Sequence, residues 1–97
     1  MSEPPPLTPG AVLHIPRLYR LQWEEAQQAY VLLYPEGMIK LNQAAGEILK
    51  RVDGNATIDE IVQQLEAAFP GAELRGDVME FMEAAYGKGW IKFKQAG

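Results

Sequence analysis

"RLQWEEAQQAYVLLYPEGMIKLN", residues 20–42, is the stretch on which the fold turns. Tyr19, Leu21 and Trp23 alternate with Arg20, Gln22 and Glu24. A period of two is the mark of a strand with one buried face, because successive side chains point to opposite sides of the pleat. The polar segment Glu25–Gln28 then supplies a loop. Ala29–Tyr34 is nearly all apolar, which suits a central strand covered on both faces better than an edge strand. "YPEG", residues 34–37, closes it. Proline at the second turn position presets φ and Gly37 tolerates positive φ, so a tight reversal into Met38–Leu41 is expected. The result is three antiparallel strands with the short last one at an edge.

Downstream the period changes. Asn42 is placed to cap a helix, since its side chain accepts from the free N–H groups of a first turn. Leu41, Ala45, Ile48, Leu49 and Val52 form one stripe of that helix, and Asp53-Gly54 stops it. Thr57 with Glu60 reads as a capping box for a second helix whose stripe is Ile58, Ile61, Val62, Leu65 and Phe69, ended by Pro70-Gly71. Asp77 with Glu80 repeats the capping signal. Leu74, Val78, Phe81, Met82 and Ala85 mark a third helix that ends among Gly87, Lys88 and Gly89. Helices this short are unstable alone and must pack on one another and on the sheet. Three strands followed by three helices give an α+β domain of winged helix-turn-helix type.

Upstream, five of the seven prolines fall in residues 1–16, which reads as a flexible arm. The short apolar cluster Ala11–Ile15 is the ground for the lesser alternative, an arm docked on the body or on a second copy. The domain proper is set at residues 17–91 and residues 92–97 are set aside as a tail. A chain of 97 residues, 47% apolar and 23% charged, fits one globular domain. Lack of cysteine removes disulfides and thiolate chemistry and fits a reducing compartment. No signal-peptide pattern or bilayer-length apolar run occurs, so the expected location is the cytoplasm.

Little here suggests catalysis. Adjacent acids such as Glu24-Glu25 and Asp59-Glu60 diverge on a strand or helix and cannot converge on a substrate. His14, the lone histidine, has no cysteine or acidic cluster with which to hold a metal. "GNAT" lacks the lysine and spacing of a phosphate loop. Neither an enzyme nor a cofactor is expected. A winged helix raises DNA binding as the alternative function, but residues 57–88 hold seven acids against Arg75 and Lys88, and a third helix carrying Asp77, Glu80 and Glu83 meets phosphates with the wrong sign. Trp23, Tyr30, Tyr34 and Phe81 read as core packing, with the polar atoms of Trp23 and Tyr34 kept near water. Met79 and Met82 read either as core filler or as the lining of an adaptable groove.

The hairpin also resembles a known family, that of the pyrroloquinoline quinone biosynthesis protein D, PqqD. Arg20-Leu21-Gln22-Trp23-Glu24, Leu32-Leu33-Tyr34-Pro35-Glu36-Gly37 and Lys40-Leu41-Asn42 carry the likeness, and Glu47-Ile48-Leu49, Asp53-Gly54, Asp77-Val78 and Gly89-Trp90-Ile91 extend it. The resemblance implies a non-catalytic recognition element for a ribosomally made peptide. It would bind the precursor peptide PqqA and present it to the radical S-adenosylmethionine enzyme PqqE, whose iron–sulfur clusters belong to that partner. It also implies a peptide cleft between the third strand and the third helix. Met38, Ile39, Lys40 and Leu41 would offer the edge, Val78, Phe81 and Met82 an apolar wall, and Arg75 and Lys40 the attraction for acidic side chains. An open edge gains backbone hydrogen bonds from an added strand, so self-pairing leaves both monomer and dimer open.

Overall fold

The computed structural model describes residues 7–94; residues 1–6 of the expected arm and 95–97 of the expected tail lie outside them. The described elements are β1 (Leu13–His14), β2 (Arg20–Glu24), β3 (Ala29–Tyr34), β4 (Gly37–Lys40), α1 (Gln43–Leu49), α2 (Ile58–Ala68), α3 (Arg75–Lys88) and β5 (Lys92–Phe93). The expected three strands form one antiparallel sheet in the order β2-β3-β4, with Leu21 opposite Leu32 and Leu32 opposite Ile39. The expected three helices follow.

Parts of the segments read as arm and tail meet. Leu13 pairs with Phe93 and His14 with Lys92, forming a second, two-stranded sheet. Val12 bridges Thr57, and the Asp59 and Ile58 amides donate to the carbonyls of Pro9 and Ala11, so the upstream chain also satisfies free donors at the start of α2. Leu13 is buried, and Leu7, Ala11 and Ile15 pack against the core. The apolar cluster outweighs the prolines here because Pro9 and Pro16 flank the two-residue strand and remove no donor from its ladder.

Each turn has a local cause. The loop between β2 and β3 turns at Gln28, whose φ is 52°. Its side-chain amide donates to the Glu25 carbonyl at 2.8 Å, which helps hold a left-handed conformation that a non-glycine residue seldom adopts. The Pro35-Glu36 reversal differs from expectation, since Gly37 enters β4 without positive φ. Asn42 caps α1 as its position predicts, with Oδ1 accepting from the Ala45 amide at 2.7 Å. The capping box of Thr57 and Glu60 is complete in both directions, at 3.1 and 2.8 Å. α3 begins earlier than its acidic signal suggests: Leu74 occupies the cap without a side-chain bond, and Asp77 lies inside the first turn, where a carboxylate suits the helix dipole. Gly89 ends α3 with φ 80°.

One cluster unites the three helices with Leu32 of the sheet, and the predicted stripes supply most of it. Leu41, Ile48, Leu49, Ile61, Leu65 and Val78 are all buried. Phe69 departs from the stripe, since the chain leaves the helix there and the ring stays 40% exposed. α1 lies so close to β3 that a Cβ on Gly46 would stand 2.8 Å from Cδ2 of Tyr30. Only glycine permits that approach without movement of the ring.

Candidate functional site

The register identifies which backbone groups of β4 are free. The Leu41 amide donates to the Tyr30 carbonyl at 2.9 Å, and Ile39 stands opposite Leu32, so the odd-numbered residues of β4 turn their N–H and C=O groups towards β3. Met38 and Lys40 therefore turn theirs outward. No backbone hydrogen bond to either residue occurs among the described residues outside the ladder, and residues 9–14 dock on β5 and α2 instead. Among the described residues, no strand pairs with the outer edge of β4.

Side chains follow the same alternation. Ile39 and Leu41 point to the face shared with Leu32, where Leu41 is buried and Ile39 half-buried. Met38, 53% exposed, and Lys40, also exposed, share the outer face with Leu33, Val31 and Arg20. Val31 is fully buried yet stands outside the core cluster, flanked by the long stems of Gln22 and Lys40 across the ladder. Lys40 and Arg20 make no salt bridge among the described residues. In a chain of net charge -4 the outer face thus combines apolar area with unpaired cations.

The remaining predicted site residues divide. Met82 has no exposed surface and Val78 almost none, so both belong to the core and neither forms an open wall. Phe81 is half-buried against the core. Arg75 is exposed, and its guanidinium is engaged by the Asp59 carboxylate at the start of α2. Val78 opens onto an apolar hollow of about 360 Å³ between α1, the end of α2 and the start of α3, together with Ala44, Ile48, Leu65, Phe69 and Leu74. Sequence reasoning missed this hollow because it counted Phe69 into the buried stripe of α2; the Pro-Gly break beside that residue was the one signal that the stripe ends early. Trp23 is 44% exposed: its ring meets Tyr30 edge-on at 5.0 Å and its indole N–H donates to Glu25 at 2.8 Å.

Two carboxylates have settled environments. The Arg51 side chain, bonded at 2.8 Å and assisted by Lys50, holds Glu47 below its ordinary value despite partial burial. The amides of Ala56 and Asn55, each at 2.9 Å, do the same for Asp53, which caps the turn after α1. Both roles are structural. Among the described residues no group of three metal-ligating side chains occurs, and no helix is long and apolar enough to cross a membrane.

The family model described as coenzyme PQQ synthesis protein D (PqqD) matches residues 29–91. A protein of Acinetobacter baylyi named PqqA binding protein is 51% identical over 76 residues, covering 77% of each chain. One of the same name from Methylococcus capsulatus is 46% identical over 86 residues, covering 89% of this chain and 92% of its own. Among solved structures, the solution structure of the PqqD part of Methylobacterium extorquens PqqCD superposes with a TM-score of 0.74 at 27% identity, covering 89% of this chain and 94% of that one. That domain is described as a functional, stand-alone recognition element for a ribosomally synthesised and post-translationally modified peptide.

Proposed function

The chain belongs to the PqqD family of coenzyme PQQ synthesis proteins, and from that premise we propose that it binds the precursor peptide PqqA along β4 and presents it to the radical S-adenosylmethionine enzyme PqqE. The observation that carries the reading is the open β4 ladder. Met38 and Lys40 hold N–H and C=O groups in extended geometry with no backbone partner among the described residues, and an incoming chain that pairs with them gains the backbone hydrogen bonds of a fourth strand.

Ile39 and Leu41 hold the edge from below, and Val78 and Met82 belong to the core that keeps the domain rigid, with Phe81 packed against it. Arg75 keeps its place as an attraction for acidic guest side chains only by exchanging Asp59 for the guest. The chain itself contributes binding and orientation, and the bond-forming chemistry belongs to the enzyme. Its acidic helical surface, with Glu60, Glu80 and Glu83 exposed, is the face left for the enzyme once the sheet edge holds the peptide.

Titration of the protein into fluorescein-labelled PqqA, followed by anisotropy, tests the reading. Saturable binding at micromolar protein is the expected result. Absence of binding with or without the enzyme overturns it, and binding that leaves the amide resonances of Met38–Leu41 unshifted moves the site elsewhere.

A further inference from the structure

The alternation on β4 implies a reading rule for the guest, which rests on the strand-addition proposal above. The residues whose backbone groups face the guest, Met38 and Lys40, are the same residues whose side chains stand on the outer face. A guest strand repeats the two-residue period, so the guest side chains beside Met38 and Lys40 emerge on that outer face, two residues apart. The guest residue between them turns towards Ile39 and the helices.

We infer that this chain selects an extended peptide by one acidic and one apolar side chain at positions i and i+2, the acid read by Lys40 and the apolar group by Met38. Charge decides the first choice. The Lys40 ammonium is exposed and has no carboxylate partner among the described residues, so a guest carboxylate beside it gains a cross-strand ion pair without breaking one. Apolar area decides the second. Met38 is 53% exposed and ends the ladder row Arg20–Leu33–Met38; an apolar guest side chain lengthens that row and covers the thioether, whose flexibility accommodates aliphatic or aromatic groups. The spacing holds for either strand direction, and the order of acid and apolar residue along the guest reports which direction is used.

The test is a binding matrix with labelled PqqA variants and the full-length protein. Each acidic residue of the peptide is replaced in turn by lysine and each apolar residue by serine, against wild-type protein, Lys40→Glu and Met38→Ser. One acid-to-lysine peptide should bind wild type about fivefold more weakly and regain affinity on Lys40→Glu, in keeping with the size of cross-strand charge pairs. One apolar-to-serine peptide, altered two residues away, should weaken with wild type and show no further loss with Met38→Ser. Compensating positions one or three residues apart, or affinity for every peptide unchanged by Lys40→Glu, overturns the rule. N-methylation of successive peptide residues separates this failure from failure of the underlying reading. Loss of binding at every second residue keeps strand addition in place whatever the side-chain result, whereas no such alternation removes strand addition itself.

Discussion

Leu32 and Leu33 are consecutive residues of β3, yet Leu32 has no exposed surface and joins the core cluster while Leu33 is half-buried on the outer face and stays outside it. The inner face is filled from three helices and tolerates no slack, as the approach of Gly46 to Tyr30 shows. The outer face sets Val31 between Gln22 and Lys40 and leaves Met38 and Lys40 exposed. One strand therefore does two jobs: its inner side chains hold the domain together, and on its outer face Val31 is buried while Leu33, with Met38 and Lys40 of β4, keeps surface available to another chain. A one-residue slip would exchange the two sets, so the buried side chains that fix stability also fix which groups the edge displays.

That division can be broken most sharply at β4. Ile39→Pro deletes a ladder donor and a half-buried side chain and should cost about 3 kcal/mol or more, whereas Lys40→Pro, whose N–H faces outward, should cost about 1 kcal/mol and still abolish peptide binding. Equal losses in chemical denaturation would show that the parity is wrong. Next comes the pair on β3. Leu32→Ala should cost about 2–5 kcal/mol and Leu33→Ala about 1 kcal/mol or less, by the same measurement. A large loss at Leu33 would mean that the outer face is covered in solution.

Gly46→Ala sharpens the description of the inner face. The added methyl must push Tyr30 aside, and although alanine favours the helix by about 1 kcal/mol, overpacking of about 1–3 kcal/mol should leave a net loss of up to about 2 kcal/mol. A stabilised variant would show that the contact between α1 and β3 has slack. The smallest effect expected is at Glu47 on α1. Its folded pKa lies below the ordinary value of 4.5, so its contribution is complete above that value and disappears as pH falls through the lowered one. Because the pair with Arg51 is a helix-surface pair, the amount is about 0.5 kcal/mol or less. Glu47→Gln should lower stability by that amount at neutral pH and leave it unchanged below the lowered pKa, so that the acid limb of a Tm-against-pH profile flattens.

The elements with dense local signals were legible in the sequence. The alternation of residues 19–24, the apolar run 29–34, Asn42 and the Thr57–Glu60 box each name their element from within a few residues, and all four hold. What lay beyond reach depends on distant partners. Leu13–His14 is too short to show a period, and the strand that completes it is some eighty residues away. Gly46 looks unremarkable until Tyr30 is placed against it. The candidate site was half legible: the edge followed from pattern, but the burial of Met82 and the engagement of Arg75 by Asp59 required the packing of three helices.

The pairing of β1 with β5 has an architectural consequence. It brings the entry and the exit of the domain side by side, so the fold is a nearly closed loop of chain fastened at one clasp. A domain fastened in this way can be spliced into a larger polypeptide with both connections leaving from a single doorway.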